Sequence, residues 1–321
     1  MANIFDKINE YKLKKEENII TIHIRAATPK DDRFENNYKG MNLGDIRSIT
    51  SVVRESKGTA KINIVFDEGV QLIDLCLDQE EAQCIYGVSI PNSATIINQE
   101  AFCGCENLKE VDLSHTKVTE IGDNAFSYSG VTMVLLPECL KKIGKEAFAN
   151  SKITNINISS NLVELGKGCF KETQELQSID MSELKIKELP EDIFSHSSIK
   201  SVILPRELEI IGEDAFTASQ IEKIDLPESL REIKKHAFGA TEKLTQLDLT
   251  KTKLETILPE TFIDSAIEVL LLPDTITQYP NGLSKMNLSQ LLEVMKKSQI
   301  DLNKIKKAAE IALNGNEHNN D

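Results

Sequence analysis

The sequence predicts an α/β solenoid: stacked short turns with a parallel sheet along the concave side, short helical turns on the convex side, and atypical N- and C-terminal caps. Three observations predict it. The stretch "EIGDNAFSYSG" (Glu120–Gly130) returns as "IIGEDAFTASQ" (Ile210–Gln220), with Ala-Phe fixed in the middle. The phenylalanine of that phrase recurs at Phe102, Phe126, Phe148, Phe170, Phe194, Phe216, Phe238 and Phe262. The chain is 40% hydrophobic but only 5% aromatic and has no tryptophan, so its core must be filled by repeated Leu, Ile and Val.

The spacings between the phenylalanines are 24, 22, 22, 24, 22, 22 and 24 residues. This order is itself periodic: Phe102, Phe170 and Phe238 stand 68 residues apart, as do Phe126, Phe194 and Phe262. Internal duplication of a three-repeat block accounts for it. A period of 20–30 residues is the mark of a repeat architecture, because each unit can bury its apolar edge only against its neighbours.

Each element of the unit follows in turn. Leu108, Val111 and Leu113 form an L-x-x-V-x-L strand, repeated as Val131, Val134, Leu136 and as Ile199, Val202, Leu204. Such strands stack in parallel about 4.8 Å apart. Pro137, Pro205, Pro227 and Pro273 follow the strand, where a missing N–H helps to end it. Gly and acidic residues before Ala-Phe begin a turn on the opposite side, read as helical. Ala fits where adjacent turns crowd, and Phe fills the wider space outside.

Residues 1–84 depart from the repeat. "IITIHI" (Ile19–Ile24) and "AKINIVF" (Ala60–Phe66) alternate as strands, and "LGDIRSITSVVRES" (Leu43–Ser56) has helical spacing. The segment reads as a mixed α/β cap or a separate small module. The repeats occupy 85–284 and fade where Ser284 stands in place of phenylalanine. Amphipathic spacing predicts a helical cap over 285–314, and 315–321 a flexible tail.

The repeat resembles the BspA-like leucine-rich repeats. "ATIINQEAFCGCENLKEVDLS" (Ala94–Ser114) and "SLREIKKHAFGATEKLTQLDL" (Ser229–Leu249) follow their pattern closely from about Ile85 to Pro280. One feature departs: only Cys105 keeps the cysteine three residues after the phenylalanine, where the other units carry Ser or Thr. The resemblance implies a leucine-rich repeat solenoid that attaches to proteins of a host or of another cell.

Composition narrows the function. The net charge is −14, which repels phosphate backbones and anionic membranes, so no nucleic acid partner is expected. No apolar run approaches the roughly 18 residues that span a bilayer, so no membrane insertion is expected. The start lacks the features of a signal peptide, which points to the cytoplasm, with unconventional export or the cell surface as the alternative. Cys76, Cys84, Cys103, Cys105, Cys139 and Cys169 form no spaced framework and read as free thiols. Cys103-x-Cys105 lacks further converging ligands, so no metal or cofactor is expected. His23, His115, His196, His236 and His318 recur with no nucleophile or carboxylate in phase, so an enzyme is not expected, nor is a small-molecule substrate.

Function should therefore sit on the concave sheet. Its middle outward position reads Ser89, Asp112, Leu135, Asn157, Asp180, Ile203, Asp225, Asp248 and Leu271, with Met133 and Val269 flanking two of the apolar points. Exposed Leu, Ile and Met on a sheet face mark interaction sites. Asp112, Met133, Leu135, Asp180, Ile203, Asp225, Asp248, Val269 and Leu271 are the candidate contacts of a protein partner. The competing explanation is passive duplication of strands that favour β-branched and apolar residues. The expected function is a non-enzymatic interaction scaffold, and the alternative is an exported adhesin or effector.

Overall fold

The computed structural model describes residues 19–27, 37–38, 41–75, 77–273 and 275–276. The expected helical cap and tail, with Ser284 and His318, lie outside the described residues, as does Cys76. The chain divides into two compact units, one up to Gly166 and one from Lys167. Each is a stack of parallel-strand turns, the solenoid architecture that the repeat predicts.

The first unit opens with β1 (Ile19–Ile24), the antiparallel pair β2 (Asn37–Tyr38) and β3 (Met41–Asn42), and helix α1 (Leu43–Ser56). There follow β4 (Lys61–Phe66), β5 (Leu72–Ile73), helix α2 (Gln79–Gln83) and β6 (Ile85–Ser89). Asn42 caps α1 by accepting the Asp45 N–H, and the Arg25 guanidinium holds the Asp45 carboxylate at 2.7 and 2.9 Å. A capping box between Asp78 and Glu81 starts α2, and Thr50 of α1 donates to Glu81 at 2.5 Å. Strands β1, β4 and β6 form one parallel sheet. Its register slips between Ile62 and Asn63, opposite Gly87, where a Cβ would meet the Asn63 side chain at 2.3 Å.

The repeats of this unit alternate an outward-face strand, three residues long except in β12, with a two-residue strand: β7 (Ile96–Ile97), β8 (Glu110–Asp112), β9 (Glu120–Ile121), β10 (Met133–Leu135), β11 (Lys142–Ile143), β12 (Asn155–Ile156) and β13 (Glu164–Leu165). Strands β8, β10 and β12 pair in order, with β6 beside β8. The two-residue strands make a second ladder through β5, β7, β9, β11 and β13. The second unit repeats the plan. Its elements are β14 (Ser178–Asp180), β15 (Glu188–Leu189), β16 (Ser201–Ile203), β17 (Ile210–Ile211), β18 (Lys223–Ile224), β19 (Glu232–Ile233), β20 (Gln246–Asp248), a 3₁₀ turn (Pro259–Phe262) and β21 (Val269–Leu271).

The corner carrying Ala-Phe differs from the helical turn that the sequence suggests. It is a run of overlapping hydrogen-bonded turns, and the only 3₁₀ turn at a corner among the described residues is Pro259–Phe262. In the turn around Phe126, Ala125, Ser127 and Ser129 donate three residues back, to Gly122, Asn124 and Phe126. The alternate amides point to the next turn: Asn124 donates to Lys145, Phe126 to Ala147 and Tyr128 to Ala149. This alternation requires a left-handed residue two places before the phenylalanine and another two places after. Asn124, Tyr128, Asp192, His196, Asp214, Ala218, His236 and Ala240 all have φ between 49° and 59°. Left-handed backbone costs about 1–2 kcal/mol for a non-glycine residue. The inter-turn bonds, 2.7–2.9 Å at the three amides around Phe126, offset it.

Behind the corner the phenylalanines stack in ranks. Ring centroids are 5.3 Å apart for Phe102–Phe126 and Phe126–Phe148 in the first unit. They lie 5.3–6.0 Å apart from Phe170 through Phe262 in the second. All but Phe262 are wholly buried. The position of the family cysteine is also buried, and Ser129, Thr173, Ser197 and Thr241 donate their hydroxyls to the carbonyl of the preceding phenylalanine at 2.7–2.8 Å. In these four turns the hydroxyl bonds a turn carbonyl where the family uses a thiol, whereas the buried hydroxyls of Ser151, Ser219 and Ser265 at the same position have no hydrogen-bond partner.

A column of glycines sets the spacing of the two-residue ladder in the first unit. Gly122, Gly144 and Gly166 each donate to the preceding turn at 2.8 Å. A Cβ on Gly144 would lie 2.6 Å from backbone atoms of Gly122 and Asp123.

Two stability changes follow. Phe126→Ala and Phe216→Ala should each lower the unfolding free energy by about 3–5 kcal/mol, and Phe→Leu at either site by less, measured by urea denaturation. Gly144→Ala should cost about 1–3 kcal/mol in the same assay. Lys234→Ala, at the same place in the repeat but with a Cβ already accommodated, should cost less than about 1 kcal/mol.

Candidate functional site

The pleat of the three-residue strands decides what reaches the surface, because alternate side chains face opposite sides. In the first unit Val111 and Val134 are buried, while Glu110, Asp112, Met133 and Leu135 point outward. The register sets Met133 beside Glu110 and Asn155, and Leu135 beside Asp112. In the second unit Ile179, Val202, Ile224, Leu247 and Leu270 are buried, and Asp180, Ile203, Asp225, Asp248 and Leu271 are exposed. Asp180 neighbours Ile203, and Asp248 neighbours Leu271; Val269, half-buried, lies beside Gln246. Leu135 is 41% exposed, Ile203 56% and Leu271 38%, values typical of polar rather than core side chains. The candidate contacts are thus brought together as two groups, one on each unit.

The carboxylates prove to be of two kinds. Asp112 accepts the backbone N–H and the hydroxyl of Ser114 at 2.9 and 2.6 Å. Asp248 does the same with Thr250 at 2.8 and 2.6 Å, and Asp180 accepts the N–H of Ser182 at 2.9 Å. These are Asx turns that end the strand. The bonds from Ser114, Ser182 and Thr250 hold the three carboxyls below the usual aspartate pKa. The Asp-x-Ser/Thr spelling at 112–114, 180–182 and 248–250 was the signal for this role.

Where the strand is followed by proline, the turn needs no such acceptor. Pro137, Pro205, Pro227 and Pro273 each accept a hydrogen bond from the residue three places on. The outward residue two places before each proline is Leu135, Ile203, Asp225 or Leu271. Asp225 cannot form an Asx turn, because Pro227 has no N–H to donate. Its carboxylate stands free of the turn, 3.9 Å from the Lys223 ammonium and 91% exposed. One local geometry therefore carries leucine, isoleucine or aspartate, so the turn itself does not call for the apolar side chains.

Other reactive groups are held structurally. His115 Nε2 lies 2.9 Å from the Ile90 carbonyl and 3.7 Å by its other nitrogen from Asp112. His23 pairs with Asp67 at 2.9 Å. Cys84, Cys103, Cys105, Cys139 and Cys169 are free thiols, as the sequence predicts. Burial pushes the thiols of Cys105 and Cys169 far above the range in which a thiolate forms. Glu213, Asp214 and His236 bring three potential ligand atoms within 4.8 Å at a corner of the second unit. The Asp214 carboxylate there accepts the Thr217 hydroxyl at 2.8 Å and lies 3.7 Å from His236. Among the described residues no helix is long and apolar enough to cross a membrane.

Parallel strands in phase, stacked phenylalanines and a buried Ser, Thr or Cys at each corner define a repeat protein of leucine-rich type. The family model for the BspA type leucine rich repeat region matches residues 81–198 and 183–287, with six copies, and the chain belongs to that family. The chain is similar to a leucine-rich repeat protein from Bacteroides ovatus (16% identity, TM-score 0.48, covering 84% of this chain and 76% of that one). It is also similar to the pneumococcal vaccine antigen PcpA (19% identity, TM-score 0.39, 68% of each chain). The T. pallidum leucine-rich repeat protein TpLRR is a third such structure (16% identity, TM-score 0.37, 90% of this chain and 92% of that one). No curated protein matches the chain with significance.

The Asx turns yield a pH-dependent expectation. The folded pKa of Asp248 is lowered, so its carboxylate contributes stability above the unfolded value, near 4, and that contribution is lost as pH falls through the folded value. Asp248→Ala should destabilise at pH 7 by no more than about 1 kcal/mol, since the group is exposed. Asp248→Asn should keep the turn. The gap between wild type and Asp248→Asn should close below about pH 4 in urea titrations.

Proposed function

We propose that this protein is a non-enzymatic interaction scaffold that binds a protein partner on the outward face of its three-residue strands. The observation that carries the reading is the choice of side chain before the prolines. Asp225 demonstrates that a carboxylate is tolerated there, yet Leu135, Ile203 and Leu271 expose apolar surface to water in the same turn. Membership of a repeat family that typically serves protein interaction agrees with this.

Magnitudes limit the kind of partner. Covering one such side chain contributes about 1.5–3 kcal/mol, whereas association costs about 4–15 kcal/mol. A single apolar point holds nothing, so the partner must engage several together with the polar groups between them. A protein surface or segment meets that requirement better than a small molecule.

Affinity capture with mass spectrometry tests the reading, comparing wild type with a Leu135→Glu, Ile203→Glu, Leu271→Glu variant of unchanged circular dichroism. A partner retained by wild type and lost by the variant is the expected result. An identical set of partners from both would sink the proposal.

A further inference from the structure

Building on that reading, we infer that the face of the second unit takes an extended cationic segment of the pattern apolar-x-Lys/Arg-x-apolar. The outward row across β14, β16, β18, β20 and β21 reads Asp180, Ile203, Asp225, Asp248, Leu271. Ile203 is paired in register with Asp180, Leu271 is paired with Asp248, and β18 lies beside β20. Two carboxylates therefore stand between two exposed apolar side chains. Lys223 is the one cation among the residues of these five strands, and it lies in the adjoining row.

The spacing selects the conformation of the occupant. With strands about 4.8 Å apart, Ile203 and Leu271 are separated by three steps, about 14 Å. An extended chain rises about 3.3 Å per residue, so residues i and i+4 span about 13 Å and point the same way. The residue i+2, also on that side, falls about 7 Å along, between the strand that carries Asp248 and the strand that leads into Asp225. An α-helix covers about 14 Å only at residue i+9, which faces the opposite side. Hydrogen bonds from Thr250 favour the ionised Asp248, and Pro227 leaves Asp225 without a backbone donor, its carboxylate facing only the exposed Lys223 ammonium at 3.9 Å. Both carboxylates thus present negative charge to the occupant, which makes a cation at i+2 the complementary choice.

The test is selection of a random dodecapeptide display library on the full chain, followed by affinity measurement of the selected peptides. Three proteins are compared: wild type, Ile203→Glu/Leu271→Glu and Asp225→Lys/Asp248→Lys. The expected result is enrichment of apolar-x-Lys/Arg-x-apolar peptides on wild type. Their affinity should fall at least about tenfold with either variant, and several-fold between roughly 50 and 500 mM salt. Peptides that need Ile203 and Leu271 but carry no basic residue, or ignore the charge reversal, would overturn the inference while leaving the scaffold reading intact. Peptides indifferent to both variants would overturn the inference and count against this face as a binding surface. Failure to enrich any peptide would overturn recognition of a short cationic segment, with the capture experiment still judging the scaffold.

Discussion

The main-chain hydrogen bond passed from one turn to the next is the constraint on which the rest of each unit depends. Within each unit the turns make it at up to three places: along the outward-face strands, along the second ladder of two-residue strands, and at the corner through alternate amides, as around Phe126. The glycine column, the left-handed corner residues and the phenylalanine ranks are each conditions for that passage. Gly122, Gly144 and Gly166 let the backbones approach, and Asn124 and Tyr128 turn the corner amides outward. Phe102, Phe126 and Phe148 fill the space that a turn of this width leaves behind it. Each turn is therefore stabilised mainly by its neighbours, as expected of a quasi-one-dimensional fold.

Much of this was legible in the sequence because repetition multiplies weak signals. One Ala-Phe says little, whereas eight phenylalanines in phase, five of them preceded by alanine, fix the repeat, and the L-x-x-V-x-L strands fall where their spacing places them. In the N-terminal segment the spacing likewise shows β1 and α1 as Ile19–Ile24 and Leu43–Ser56, and β4 as Ala60–Phe66, where the strand begins one residue later at Lys61. The corner was misread as helical because left-handed positions are occupied there by Glu, Asp, His, Ala and Tyr, not by a consistent glycine. Propensity carries no mark of a backbone shape that the next turn imposes. For the binding face, the exposure of Leu135, Ile203 and Leu271 followed from the pleat alone. The double role of Asp112, Asp180 and Asp248 did not, because the pleat marks them only as outward-facing candidate contacts, while the turn-closing role depends on the Ser or Thr two residues on.

The exchange of cysteine for hydroxyl residues at the buried corner position shows the same logic at one atom. A thiol fills the site and donates weakly, whereas the hydroxyls of Ser129, Thr173, Ser197 and Thr241 close a hydrogen bond to the phenylalanine carbonyl within their own turn. The substitution removes a redox-sensitive group and keeps the volume small enough for the neighbouring turn to close over it.

The two ways of ending a strand divide the outward face into fixed and free positions. An Asx turn ties its aspartate to the architecture, so change there is penalised whatever the ligand. A proline turn releases the residue two places before it, and that position has already accepted Leu, Ile and Asp without disturbing the stack. Mutational tolerance on this face should therefore be rhythmic rather than uniform, with the proline turns supplying the variable letters. Duplication of the 68-residue block copies fixed and free positions together, so a lineage can lengthen its recognition surface and diversify it by separate, non-interfering steps.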